Sequence, residues 1–445
     1  MITYEELVKS CSGNSICIVE AVKALVDSGY EFSTDNMKKI NALLGEPSRK
    51  IDVFNDKYVN VFLKYVQRNC VENDEGDLCI YSWKPGTYIR YFPVSLDATG
   101  TILMIKGNNV KVVAYPVHRS HDITGHRVEV PDPASEPIVE VTKRIDGYHI
   151  TFYYNPVLGK WVPATRYVLH NMMYVKRRLE IRDLGEVINP YASIAHTIAE
   201  EKGLYEKLKG FEGWTFTFIL EPPEPAILKP NIELYEVSNF NLYLLVARKP
   251  DGELLTVTES CKLIEWPCIP VESISINSKG ELEKAIEKWR KDLYTRSRFV
   301  RFKRGDKYRP YVLEIPSQLY GEAVNVKYMS NPKSLIILAS HGYAEEAVNL
   351  LVDFKDIRST GKEIIAYYHE LEKLISSIID KPWLTELLRE FNVEKQVRGE
   401  IEKAKRTGSY DRLVRKLASL IVGEDLYSGR NKLKELVEKI REKLG

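Results

Sequence analysis

The stretch from Val139 to Tyr154 constrains the chain more than any other. Val139 and Val141, then Ile150, Phe152 and Tyr154, alternate with polar residues around Asp146-Gly147, a pattern that predicts strand, tight turn, strand. Strand side chains alternate faces, so Arg144 is predicted to share the face of Asp146 and Lys143 to take the other. The two cations differ in chemistry. Arg144 stays protonated at any relevant pH and has no lone pair to offer, so it can balance charge but cannot attack; an amine such as Lys143 can. The plain alternative is an ordinary hairpin with charged residues at its mouth.

The texture around this stretch changes twice. Before about residue 70 the pattern is helical: Ile16 to Val26 carries an apolar stripe that ends at Ser28-Gly29, and a second helix runs from a cap at Ser33 or Thr34 to Gly45. A third is expected over Asp56 to Asn69. Two short helices around a glycine admit a helix-turn-helix, but such pairs are more often packing units, and DNA is not the expected partner. Strands follow at Leu78 to Trp83, Tyr88 to Phe92, Gly100 to Ile105, Val110 to Pro116, Trp161 to Arg166, Gly213 to Leu220 and Asn241 to Val246, with a helix over Ala192 to Lys209. From Pro332 to the end, apolar residues recur at three and four spacing over 348–354, 364–379, 383–391, 410–422 and 433–444, which predicts helices with solvated charged faces.

Charge and cysteine content narrow the classes. Lys plus Arg is 64 against 62 for Asp plus Glu, so nucleic acid could be held only by local patches. The best is Arg296 to Arg304, where a strand would line up Arg296, Arg298, Phe302 and Arg304, with Arg301 and Lys303 between them; Lys176, Arg177 and Arg178 form a second. For both, the bland reading is a solvated edge or loop. No apolar run is long enough to span a membrane, and the first residues lack a signal-peptide pattern, so a cytoplasmic protein is expected. The six cysteines are too scattered for a zinc ribbon; free thiols are expected, with Cys261 and Cys268 able to bridge in a hyperthermophile. Abundant Glu, Lys, Arg and Tyr is an archaeal or thermophile-like texture. His118, His121 and His126 crowd one loop with Asp122 and are candidate metal ligands.

The order of these strand motifs, over about residues 58 to 350, resembles the ATP-dependent RNA ligases of the phage T4 tRNA-repair type, within the polynucleotide ligase and capping-enzyme superfamily. There a Lys-x-Asp-Gly lysine is adenylylated; here Arg144 holds its place, ahead of Asp146 and Gly147, with Lys143 one residue earlier. Thr99-Gly100 stands where the family has Arg-Gly. Phe216-Thr-Phe218-Ile219 resembles the family's Phe-x-Phe-Glu strand, with Glu221 the carboxylate two residues further along the same face, and Tyr243 on the next strand is placed to stack near a base. Ser297 falls at the metal-binding carboxylate, and Leu313 and Ile315 at two lysines that neutralise phosphate.

The resemblance implies an α+β chain: a helical N-terminal extension (1–57), a nucleotidyltransferase domain of antiparallel sheets and helices (58–330), and an all-helical C-terminal domain (331–445) of the kind that favours tRNA in those ligases. Function is another matter, because it lives in the site. ATP carries about four negative charges, and holding it without compensating cations costs several kcal/mol. Losing one electrostatic stabiliser commonly costs on the order of a hundredfold in rate. The favoured reading is a pseudoenzyme that binds RNA, tRNA-like or otherwise, with no cofactor. A bulge at Arg144-Ile145 would bring Lys143 into the nucleophile position and restore an ATP- and Mg2+-dependent ligase, with Arg296, Arg298 or Arg301 replacing the lysines. The third reading is a scaffold subunit with protein partners.

Overall fold

The computed structural model describes residues 2–45, 62, 65–85, 90–170, 190–223, 239–354 and 356–445. The architecture is mixed α+β, and its chain divides into two compact units: residues 1–286 with 297–316, and residues 287–296 with 317–445.

The first unit begins with helices α1 (Tyr4–Ser10), α2 (Ser15–Asp27) and α3 (Thr34–Leu43), each opened by a side-chain cap, from Thr3, Asn14 and Ser33 respectively. They pack on a four-stranded sheet of β1 (Val66–Val71), β2 (Asp77–Trp83), β3 (Thr99–Lys106) and β4 (Asn109–Ala114). Strand β2 is buried on both sides because its two faces serve different cores: Cys79 and Tyr81 meet the helices, while Leu78 and Ile80 meet residues of a second sheet. The helix pair α2–α3 is therefore a packing unit. The expected helix over 56–69 is overturned at its end, where β1 begins at Val66; antiparallel pairing with β2 overrides the local helical pattern, and 56–61 lie outside the described residues. The Tyr88 to Phe92 strand also falls partly outside them, and a short helix α4 (Pro93–Asp97) follows.

Two more four-stranded sheets complete this unit. One has the order β10 (Asn241–Arg248), β9 (Thr215–Glu221), β7 (Tyr148–Asn155), β8 (Lys160–Ala164); the other runs β5 (His121–Asp122), β12 (Pro310–Pro316), β11 (Ser297–Gly305), β6 (Ile138–Lys143). All neighbours are antiparallel except β5 and β12. The central strands of the expected hairpin are thus not paired: β6 joins β11, β7 joins β8 and β9, and Asp146-Gly147 carries the chain from one sheet to the other. Gly147 makes that crossing possible, since a Cβ there would stand 2.4 Å from the Leu220 carbonyl oxygen of β9. Phe216, Phe218 and Leu220 of β9 are fully buried against α5 (Pro190–Glu201) and α6 (Leu204–Lys207). The single helix expected over 192–209 is broken by Gly203, which adopts φ +70°. Helices α7 (Val257–Ile264) and α8 (Lys279–Arg290) follow β10 in sequence.

All six cysteines are paired: Cys261–Cys268, the bridge the sequence admitted, and, against the expectation of free thiols, Cys11–Cys17 and Cys70–Cys79. Folding brings partners together that sequence spacing separates; Cys70 and Cys79 are direct cross-strand neighbours in β1 and β2.

The second unit is helical: α9 (Gln318–Met329), α10 (Pro332–Ser340), α11 (Ala344–Leu350), α12 (Ile357–Ile378), α13 (Leu384–Glu390), α14 (Glu394–Thr407), α15 (Asp411–Val422) and α16 (Leu426–Leu444). Ile364, Tyr368, Leu371, Ile375 and Ile378 of α12 form the buried stripe that its periodicity predicts. No helix among the described residues is long and apolar enough to cross a membrane.

Candidate functional site

A cavity of about 890 Å3 lies within the first unit, bordered by the crossing segment that leaves β6. Its position follows from strand parity. Glu140 and Thr142 of β6, Phe299 and Arg301 of β11, and Val312 and Glu314 of β12 line it, while Val141, Val300, Leu313 and Ile315 on the alternate positions are fully buried. Leu313 and Ile315, matched by the resemblance to two lysines, are thus buried away from the cavity. The cavity-facing positions on that strand are Val312 and Glu314, which also carry no lysine.

Arg144 lines the cavity, but so does Lys143, against the expectation that the two take opposite faces. The Arg144 guanidinium donates to Glu314 Oε1 at 2.6 Å, and the Ser297 hydroxyl donates to the same oxygen at 2.7 Å. The ladder stays regular here, with the Arg144 amide donating to the Ser297 carbonyl at 3.0 Å, so the bulge that would advance Lys143 is absent. Lys143 borders the cavity at the strand end, but its ammonium lies 3.7 Å from Glu272, a carboxylate that also accepts from the buried Arg298. Asp146 is half-buried and, unlike Gly147, is not among the lining residues.

Carboxylates near this wall are already engaged. Glu314 is held by Arg144 and Ser297, and Glu140 Oε1 accepts from the Val257 amide at the start of α7. Burial raises the Glu140 carboxyl above its usual range, and Oε2 is closed off without a partner among the described residues. Arg301 spends its guanidinium on the Leu254 and Leu255 carbonyls at 3.0 and 2.7 Å. A divalent cation needs several free oxygen ligands, and this donor set does not fit one.

The loop histidines do not converge. His118 is buried with Nε2–H donated to the Pro310 carbonyl at 2.7 Å, which leaves Nδ1 a lone-pair acceptor with no partner among the described residues. Burial, then the nearby Arg248, holds it well below the usual imidazole range. His121 is stacked between Tyr91 and Tyr311, and burial followed by Arg119 depresses it to about 4; His126 is exposed. Among the described residues no group of three or more His, Cys, Asp or Glu is placed to hold a metal.

Glu221 shares the face of Ile219, as its spacing requires, yet only Ile219 lines the cavity; Glu221 sits at the strand end and accepts from Asn241 at 3.0 Å. Tyr243 pairs opposite Ile219 and, like Glu221, lies outside the lining; burial, then Glu221, raises its phenol. The Arg296 to Arg304 patch is not an open cationic face. Arg298 is buried against Glu272, Phe302 is buried, and Arg304 pairs with Glu136 and Glu129. Lys303 is exposed, and Arg296 belongs to the second unit. Lys176, Arg177 and Arg178 lie outside the described residues.

Three residues on the lining had no sequence signal. Trp83, Arg119 and Arg166 come from separate stretches, and only the fold assembles them. Thr99, at the expected arginine position, donates its hydroxyl to the Val117 carbonyl, while Gly100 (φ +102°) lets the Arg166 backbone approach: a Cβ there would be 3.1 Å from Arg166 Cα. His149 lines the cavity with both ring nitrogens closed off and without a partner among the described residues.

No family model matches the chain, and no curated protein does. Two solved structures are similar to it. One, described as an archaeal ATP-dependent RNA ligase, form 2, has 14% identity, covers 78% of this chain and 82% of its own, and gives a TM-score of 0.40. The other, form 1, has 13% identity, covers 77% and 82%, and gives 0.38. At that level the likeness leaves activity and ligand open.

Proposed function

We propose that the chain is an RNA-ligase-like protein of the nucleotidyltransferase type that binds RNA and does not transfer adenylyl groups. One observation carries the reading: the side chain in the nucleophile's place is a guanidinium, Arg144, ion-paired to Glu314. A guanidinium has no lone pair with which to attack an α-phosphate, and the pairing removes the carboxylate that a metal would need. The amine one residue away, Lys143, lies beside Glu272.

What speaks for RNA is the charge and ring content of the cavity. Arg119, Lys143, Arg144, Arg166 and Arg301 line it against Asp122, Glu140 and Glu314, with Trp83 and Tyr148 among them. A basic, ring-lined surface suits phosphates and unstacked bases. This reading needs no cofactor and places the protein in the cytoplasm with RNA, tRNA-like RNA included, as partner; the borders at 57 and 330 remain part of it.

The test incubates the purified chain with α-labelled ATP and Mg2+, and separately measures RNA binding across a salt series. The expected results are no covalent label and an RNA affinity that falls as salt rises, because phosphate contacts release counterions. A protein–AMP adduct that disappears in Lys143→Ala would overturn the reading in favour of an active ligase. Absence of salt-sensitive RNA binding would overturn it in favour of a scaffold subunit.

A further inference from the structure

Rings and cations form a continuous run that starts on the cavity wall at Tyr167, Arg166, Trp83 and Arg119. Arg166 lies over Tyr167 at 5.3 Å and over Trp83 at 4.8 Å from the ring centroids. Arg119 lies over the same Trp83 at 5.3 Å and over Tyr91 at 4.7 Å. Tyr91 continues onto His121 at 4.7 Å, His121 onto Tyr311 at 4.4 Å, and Arg304 stands over Tyr311 at 5.2 Å. The run is assembled from five separate stretches of chain, all within the first unit.

Its two ends differ. At the Arg304 end the charge is consumed by Glu136 and Glu129, so that end is closed electrostatically. At the other end Arg166 makes no ion pair among the described residues and donates only to the neighbouring Tyr167 hydroxyl at 2.7 Å. Tyr167 itself is 49% exposed, a large ring left in water at the cavity edge. Between the ends, the Trp83 indole N–H has no acceptor among the described residues. Gly100 admits the Arg166 backbone to this place at a φ and a distance that a side chain would disturb.

We propose that the Tyr167–Arg166–Trp83–Arg119–Tyr91 ladder is a track for single-stranded RNA, read without sequence preference, that leads a strand end into the cavity. The proposal rests on the RNA-binding reading above and names the residues and the RNA form it requires. A single strand offers a base face to the exposed Tyr167 ring and a phosphate to Arg166, which has no ion pair among the described residues. Every base has a π-face, so stacking here is sequence-tolerant. A duplex keeps its bases stacked on each other and would leave the exposed ring unused.

The test uses the full chain, a labelled 12-nucleotide single-stranded RNA of mixed sequence, its duplex, and fluorescence anisotropy over a salt series. The variants are Tyr167→Ala, Arg166→Ala and Arg166→Lys. Tyr167→Ala and Arg166→Ala should each weaken single-strand binding about tenfold, within the range for loss of one stacked base, with unchanged melting temperature. Arg166→Ala should also lower the slope of log affinity against log salt by about one, and Tyr167→Ala should leave that slope alone. Arg166→Lys should restore the slope but only part of the affinity, because an ammonium has no plane to stack. If the wild type binds single strands and these variants bind equally well, or if the duplex binds as tightly, the track is overturned while the RNA-binding reading survives. If the wild type binds no RNA at all, both fail.

Discussion

Replacing Asp97 by alanine should destabilise the first unit by about 4 kcal/mol. Asp97 is fully buried at the end of α4, and each of its oxygens is occupied. Oδ1 accepts from the Tyr115 hydroxyl at 2.9 Å; Oδ2 accepts from the Ser15 amide and from Arg309 Nη1, both at 2.9 Å, and from the Ser15 hydroxyl. Arg309, with a side chain 14% exposed, also donates to the Gly13 carbonyl at 2.8 Å. Nearby, the fully buried Arg248 lies 3.6 Å from the Tyr115 centroid and donates to the carbonyls of Tyr115 and Pro116. Removing the carboxylate leaves two buried guanidinium groups short of their main counter-charge, a loss that typically costs 3–5 kcal/mol. The orphaned Ser15 amide adds roughly 1 kcal/mol, and the Asp306 carboxylate 3.8 Å from Arg309 returns part. At roughly 2–4 °C per kcal/mol, the melting temperature should drop by about 8–16 °C. Circular dichroism melts and urea titrations read this directly, with Asp97→Asn as a milder control that keeps shape but not charge. Because Ser15 and Gly13 belong to the N-terminal helical segment, limited proteolysis should also release it sooner in the variant. A change below 1 kcal/mol would refute the idea that this carboxylate ties the helices to the strand ends beneath the cavity.

Two further outcomes test the cavity. A double-mutant cycle on Arg144→Ala and Glu314→Ala should give a coupling of about 1–1.5 kcal/mol, discounted because Arg144 is one-third exposed. Arg144→Ala should be the costlier single change, since it strands the less exposed partner; a coupling under 0.3 kcal/mol in urea melts would make the pair an ordinary surface contact. His149→Phe should flatten the acid side of the stability profile. Burial, with Arg166 nearby, depresses the His149 imidazole from 6.5 to about 3 in the folded chain. Between those values the unfolded chain binds the extra proton, so the wild type is fully stabilised above pH 6.5 and loses stability as pH falls toward 3. At pH 4.5 that loss is on the order of 2–3 kcal/mol, and the variant should escape it. A wild-type-to-variant difference in melting temperature that stays constant from pH 7 to 4.5 would contradict the assignment.

Some of the site was legible because strand parity is a local property. Glu221 sharing the face of Ile219 and the amphipathic stripe of α12 each follow from periods of two or 3.6 read along a few residues. What failed were inferences about pairing. An Asp-Gly between two alternating runs signals a hairpin, but the Leu220 carbonyl behind Gly147 admits the chain onto another sheet. Arg298 and Arg304 looked like a nucleic-acid surface because a sequence displays charges without their partners; Glu272, Glu136 and Glu129 supply those from other stretches. The cysteines misled for the same reason, spacing along the chain being no guide to cross-strand neighbours.

By itself, the order of residues determined the α+β texture and the helical C-terminal region, since these depend on backbone periodicity. Tertiary structure alone decided where each charge is spent and that Trp83, Arg119 and Arg166 meet at one wall. The physical reason is range: periodicity acts over a few residues, whereas ion pairs, stacking and burial join groups that share no local pattern.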